Sequence, residues 1–115
     1  MFLKKFNKDF VNKLVKQKEG QTLDFKLQIT SKEKIAKTIA GMANSDGGLI
    51  VIGLSDQGKI LGIDPEEEQF MVETANEEFC LPKVTLHFEE VKLVDDDPDR
   101  KEKSILIVEV SKMKD

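Results

Sequence analysis

The spacing of apolar residues near the N-terminus predicts an amphipathic helix over residues 7–18. Phe6, Phe10 and Leu14 recur every four residues, so one stripe can pack inward while the lysines between them stay in water. The asparagine that begins this range is a favourable N-cap. Phe6 before the cap and Val11 inside the helix are spaced to form a hydrophobic staple.

A second helix has a sharper start signal. In "TSKE", Thr30 is predicted to cap the helix, and Glu33 three residues later completes a capping box. The helix is predicted to end near the turn signal "NSDGG". Its apolar arc consists of Ile35, Ala36, Ile39, Ala40, Met42 and Ala43. At about 100° per residue, the opposite arc holds Lys34, Lys37, Gly41 and Asn44.

Alternation predicts a half-buried strand over residues 22–28, between these two helices. Leu23 and Phe25 point to one side of it, whereas Asp24 and Lys26 point together to the other. The runs "LIVIGL" and "SILIVEV" are apolar on both faces, which is typical of strands inside a covered sheet. "SDQG" is read as a hairpin turn, after which "KILGI" returns as a partner strand.

The remaining segments complete an α+β domain. An acidic third helix is predicted over residues 66–80, closed by Pro82. "VTLHFEEVKL" is a long strand whose alternation slips at Glu89 and Glu90, which predicts a bulge. "DDDPDRKEK" is a solvated loop before the last strand. We therefore expect one domain over residues 1–115, with a mixed β-sheet and about three helices. The order of helices and strands is also compatible with the N-terminal part of a longer protein.

Composition places the chain among globular proteins with a heavily charged surface. Of 115 residues, 39% are hydrophobic and 35% charged, and no apolar run approaches the roughly 18 residues that a membrane span needs. The single cysteine, Cys80, excludes an internal disulfide and a cysteine-based zinc cluster, and it reads as a core residue. The isolated His87 is a poor candidate for metal binding. The expected location is the reducing cytoplasm, without membrane association.

Charge is distributed unevenly along the chain. The net charge is −4, but residues 1–40 carry ten lysines against four acids, which gives +6. Residues 41–115 carry eight basic residues against eighteen acids, which gives −10. A basic N-terminal third could face phosphates. The alternative, which remains open at this point, is that the charges serve only solubility.

Three acids could form a site if two strands lie side by side. Glu19 precedes the first strand, Asp24 lies on its polar face, and Asp56 follows the buried strand "LIVIGL". Converging carboxylates could bind a divalent cation that activates water at a phosphodiester. Lys26 could neutralise a phosphate or pair with Asp24. From spacing alone, a solvated surface is the simpler interpretation.

A family resemblance changes this balance. The segment "EGQTLDFK" followed by "IAKTIAGMANSDGGLIVIGLSDQGKILGI" resembles the Schlafen/AlbA-type DNA-binding domain family. Members of that family run E-x4-[ED]-F-K, then a helix into A-N-[ST]-x-G-G, then a glycine- and aspartate-bearing hairpin. The similarity is dense over residues 19–63 and looser across the C-terminal strands. It implies the fold of a single Schlafen/AlbA-like domain, a fold found in bacterial transcriptional regulators and in the Schlafen proteins of animals.

The resemblance implies first a module that binds DNA or RNA. The expected nucleic-acid-binding residues are Lys26, Lys34, Lys37 and Asn44. The three lysines, with lysines of the first helix, would contact phosphates, and Gly41 or Asn44 would permit close approach. A second implication is an endoribonuclease that uses Mg²⁺ or Mn²⁺.

The carboxylate triad of that nuclease would be Glu19, Asp24 and Asp56, with Asp24 in place of the more usual glutamate. Schlafen nucleases pair two lobes around a basic cleft, so a single acidic lobe favours binding over catalysis unless it forms a homodimer. A third interpretation, a dimerisation or ligand-sensing module, is suggested by the acidic second half.

Overall fold

Seven helices and strands lie in the part of the chain that the structure, a computed structural model, describes: residues 6–55, 57–94 and 101–113. In chain order they are α1 (Lys8–Leu14), β1 (Leu23–Lys26), α2 (Lys32–Ala43), β2 (Gly48–Ile52), α3 (Pro65–Phe79), β3 (Leu86–Val94) and β4 (Glu102–Val110). Most of the predicted loop "DDDPDRKEK" lies outside the described residues, but its last residues already belong to β4.

The four strands form one mixed sheet in the order β1-β2-β4-β3. β1 and β2 are parallel, and α2 makes the crossover between them, as parallel neighbours require. β4 runs antiparallel to both of its neighbours, β2 and β3. The expected α+β class, with a mixed sheet and three helices, is confirmed.

Both faces of the sheet are covered by helices. On the side that we call the α2 face, side chains of β2 and β4 pack with α2 and α3 around Ile39, Ile50 and Val72, all fully buried. On the opposite side, the α1 face, Val51 and Ile107 pack with α1, together with the apolar residues of β1. Removing a buried side chain of this size from water contributes about 1.5–3 kcal/mol to folding. The doubly apolar runs of the central strands follow from this arrangement.

Helix caps show where the predicted boundaries were right and where they shift. The side chain of Asn7 accepts a hydrogen bond from the backbone N–H of Phe10, as predicted, although α1 ends earlier, at Leu14. The prediction of Thr30 as the cap of α2 is wrong. Ser31 takes that place, because its extended backbone lets its Oγ accept the N–H of Lys34 at 3.2 Å.

The predicted strand "KILGI" does not form in the described part of the chain. Only an isolated bridge joins Leu54 to Ile60. β2 already has β1 on one edge and β4 on the other, so no edge is open to a third partner. Gly53, Gly58 and Gly62 also have positive φ angles, which interrupt extended backbone there.

The predicted bulge at Glu89 and Glu90 is also absent from the described strands. β3 pairs with β4 residue for residue from Leu86 to Val94. The alternation slips because the strand changes the face that it buries: Phe88 packs on the α2 face, whereas Val91 packs on the α1 face. A change in the covering helix thus produces the sequence pattern that a bulge would give.

A buried carboxylate links α3 to the segment between β1 and α2. Glu68 is 8% exposed, and its Oε1 accepts the buried backbone N–H of Ile29 at 2.6 Å. Without this acceptor the N–H would be cut off from water.

Among the described helices, none combines the length and the apolarity that crossing a membrane requires.

Replacing Glu68 tests how much this contact stabilises the fold. We expect Glu68→Ala to lower the free energy of unfolding by about 1–3 kcal/mol, because the N–H of Ile29 is left without a partner. Glu68→Gln keeps an acceptor oxygen and should lose less. Glu67→Ala, at an exposed position in the same helical turn, is the control and should change little. Urea unfolding measures all three. A loss in Glu67→Ala equal to that in Glu68→Ala would contradict this interpretation.

Candidate functional site

A groove lies between the polar face of β1 and helix α2. The pairing of Asp24 with Ile50 and of Lys26 with Ile52 shows that both polar side chains lie on the α2 face. This β1–α2 groove has a volume of about 470 Å³. Its lining consists of Gly20, Gln21, Asp24, Lys26, Lys37, Thr38, Gly41, Met42 and Ser45.

A second, smaller groove of about 240 Å³, which we call the loop groove, begins at the same lysine. It is lined by Lys26, Gln28, Ile29, Thr30, Ser31, Lys34 and Ile35. Lys26 therefore contributes to both grooves, Lys37 to the first and Lys34 to the second. Asn44 is exposed at the C-cap of α2 and lines neither groove. Three of the four predicted nucleic-acid-binding residues thus lie along one surface.

Glu19 lies at the outer edge of β1. The turn that follows it brings the N–H of Gly20 to the carbonyl of Leu23 at 2.9 Å. The Glu19 Oε2 atom accepts the N–H of Phe25 at 3.0 Å. These contacts satisfy backbone groups on the edge of β1 that faces away from β2, and so protect an edge strand from unwanted pairing.

The carboxyl groups of Glu19 and Asp24 interact directly. The backbone N–H of Phe25, the hydrogen bond with Asp24 and, more weakly, the charge of Lys26 lower the pKa of Glu19. Burial and the hydrogen bond with Glu19 raise the pKa of Asp24, although Lys26 opposes that shift. Lys26 Nζ lies 3.2 Å from Asp24 Oδ2. This buried oxygen accepts no well-aligned hydrogen bond from any described residue.

The third predicted acid, Asp56, lies outside the described residues. The strands that flank the predicted site are adjacent, since the N–H of Gly53 donates to the carbonyl of Lys26 at 2.8 Å. Gly58, two residues beyond position 56, approaches Val15 of the segment that leads to Glu19. Among the described residues, no group of three or more His, Cys, Asp or Glu side chains is placed to hold a metal ion. The triad therefore stays a prediction.

Comparison with protein families identifies the domain. The model of the family described as Schlafen, AlbA_2 matches residues 19–115. The chain belongs to the Schlafen AlbA_2 family. Membership indicates a nucleic-acid-related function. A search among curated proteins found no match.

Sequence reasoning missed part of the groove of this Schlafen AlbA_2 domain. Thr38 lies on the same arc of α2 as Gly41, so helical spacing could have revealed it, whereas Ser45 lies in the turn after the C-cap of the helix. Gln21 could not have been found this way, because a turn brings it to the helix. Its Nε2 donates to Ser45 Oγ at 3.1 Å, which ties the two walls of the groove together.

The interacting carboxyls predict opposite pH dependence for two variants. The raised pKa of Asp24 means that its contribution to stability is present below its ordinary pKa of 3.8 and is lost as pH rises through the folded-state value. Asp24→Asn mimics the neutral acid. The difference in unfolding free energy between this variant and wild type should therefore shift in favour of the variant as pH rises from about 3.5 to 7.5.

Glu19 should behave in the opposite way. Its lowered pKa contributes stability above its ordinary value of 4.5, and this is lost as pH falls through the folded-state value. Glu19→Gln should therefore be less stable than wild type at pH 7, with the difference shrinking below pH 4.5. Urea unfolding across this range measures both. Parallel pH profiles for the two variants would show that the carboxyls do not interact as described.

Proposed function

We propose that this chain is a nucleic-acid-binding module that contacts phosphates along the β1–α2 groove and the loop groove. The observation that carries the proposal is the alignment of Lys26, Lys34 and Lys37 on one surface. Family membership supports the same class of partner.

The lysines on this surface differ in how much charge they offer. Lys26 is compensated by Asp24 at 3.2 Å. Lys34 and Lys37 are exposed, and neither makes an ion pair within the described ranges. Positive charge that is not compensated locally attracts phosphates even where the whole chain is negative, since salt screens charges beyond about 8 Å.

The chemistry of the grooves favours contact with the backbone of a nucleic acid over contact with its bases. Lysines, hydroxyls, amides and glycines make up most of their lining, and no aromatic side chain lines either groove within the described residues. Stacking of unpaired bases needs aromatic or arginine planes. We therefore infer binding with little sequence preference. In a bacterial transcriptional regulator, such a module would hold the protein on duplex DNA.

Salt titration tests the phosphate contacts. On duplex DNA, we expect Lys34→Gln and Lys37→Gln each to reduce the slope of log K against log salt by about 0.9, with about tenfold weaker binding at roughly 50 mM salt. Lys26→Gln should have a smaller effect because Asp24 already offsets its charge. Fluorescence anisotropy with a labelled duplex and a labelled structured RNA measures all of these values.

Lys92→Gln is the matched control, because Lys92 is an exposed lysine on β3, at the opposite edge of the sheet. It should leave the slope unchanged. Absence of binding to both nucleic acids at low salt would overturn the proposed function. Tighter binding to structured RNA than to duplex DNA would contradict the role in a transcriptional regulator.

A nuclease is the second candidate, and the interaction of Glu19 with Asp24 is the observation that favours it. Two carboxylates, one with a buried oxygen that has only the Lys26 ammonium beside it among the described residues, supply the oxygen ligands that hard cations prefer. Glu19, Asp24 and Asp56 would hold Mg²⁺ or Mn²⁺. The bound ion would supply an activated water for phosphodiester hydrolysis.

Cleavage of structured RNA in the presence of Mg²⁺ or Mn²⁺ tests this candidate. We expect Asp24→Asn and Asp56→Asn each to reduce cleavage by at least about 100-fold, because a metal ligand is lost, and chelation to abolish it. Asp46→Asn, which alters an exposed acid outside the β1–α2 groove, should cleave normally. Cleavage that survives both the chelator and the two substitutions would end this hypothesis.

A further inference from the structure

The glycines of this chain divide into two groups by the reason that the fold needs them. All seven lie in the described ranges. Five have an internal reason for lacking a side chain. Gly47, Gly53, Gly58 and Gly62 have positive φ angles, and a Cβ on Gly48 would lie 2.7 Å from the carbonyl oxygen of Thr22. These positions are explained by folding alone.

Gly20 and Gly41 have no such reason. A Cβ built on either residue meets no heavy atom within 4 Å, and neither has φ in the left-handed region. Both line the β1–α2 groove. The two glycines that the fold does not require therefore lie in the same groove, one at the β1 side and one on α2.

The glycine on α2 is unfavourable for the helix itself. Gly41 lies inside the twelve-residue helix, where alanine would stabilise the helix and would fit without a clash. Its bare backbone faces the groove between Thr38 and Ser45, the latter donating from Oγ to the Gly41 carbonyl at 3.0 Å. A glycine in the last turn of a helix that has no packing role is explained where another molecule approaches the backbone closely.

We propose that Gly20 and Gly41 form a slot that admits the phosphodiester backbone of a bound nucleic acid into van der Waals contact with the protein backbone. This inference rests on the proposed function and adds to it a steric determinant that is separate from charge. Lys26 and Lys37 line the same groove and would meet the phosphates there. The Gln21 side chain donates to Ser45 Oγ at the end of the same groove. Side chains added at the two glycines would occupy space in the groove that the phosphodiester backbone would otherwise fill.

Steric and electrostatic contributions can be separated by their salt dependence. A lysine that contacts phosphate releases counterions, so its removal changes the salt slope. A methyl group added in the slot changes the release of no counterions. It should therefore weaken binding at every salt concentration while leaving the slope unchanged.

The experiment compares Gly20→Ala, Gly41→Ala and Gly41→Leu with wild type, using the labelled duplex and structured RNA described above. We expect the alanine variants to bind several-fold more weakly and Gly41→Leu at least tenfold more weakly, all with the wild-type salt slope. The thermal midpoint of Gly41→Ala should rise by about 3–6 °C, because the helix gains a better helix former. Weaker binding would then accompany a more stable protein, which a folding defect cannot produce.

Each outcome decides between the slot and the wider proposal. Wild-type affinity in Gly20→Ala and in both Gly41 variants would overturn the slot, and the proposed function would stand if the lysine variants still lower the slope. A changed slope in the glycine variants would also overturn it. If wild type binds neither nucleic acid, the proposed function fails, and the slot fails with it. If Gly41→Leu lowers the thermal midpoint below that of wild type, the two alanine variants decide.

Discussion

The parallel pairing of β1 with β2 is the constraint on which the candidate site depends. It sets Asp24 beside Ile50 and Lys26 beside Ile52, so both polar side chains face the crossover helix α2. A slip of one residue would turn these polar side chains toward α1 and would bring Leu23 and Phe25 to the groove. The burial of those apolar residues on the α1 face thus fixes the register. The groove is a consequence of core packing on the other side of the sheet.

The groove places charges of both signs close together, and this shapes what it can bind. Lys26 neutralises Asp24 in part, so the excess positive charge along α2 comes from Lys34 and Lys37. A phosphate that approaches Lys26 must either share it with the carboxylate or contact the lysines of the helix instead. The Glu19 carboxylate is engaged by the N–H of Phe25. Binding strength should therefore depend more on the helix than on the strand.

Local signals in the sequence predicted well, and features that depend on neighbours in space did not. The cap at Asn7 and the apolar arc of α2 follow from short-range spacing, and both are present. The strand "KILGI" was wrongly predicted because no sequence pattern shows that both edges of β2 are taken by strands distant along the chain. The slot glycines show the same limit. Helical spacing places Gly41 on the polar arc of α2, but only the empty space beside it distinguishes it from Gly48, whose added Cβ would collide with backbone.

Folding explains the acidic residue at position 19 better than the one at position 24, although the carboxyl groups of Glu19 and Asp24 interact. Glu19 has a structural reason to be acidic, since its carboxylate satisfies a backbone donor at the edge of β1. Asp24 has no structural reason of comparable strength. Burial raises the pKa of its carboxyl group, and its buried Oδ2 has only the Lys26 ammonium as a partner among the described residues. An ion pair does not explain the residue, because the cost of burial and of the nearby Glu19 outweighs the attraction to Lys26. A carboxyl group that the fold holds at a cost is a feature that the proposed metal-dependent nuclease would explain, since a bound cation would stabilise its charge.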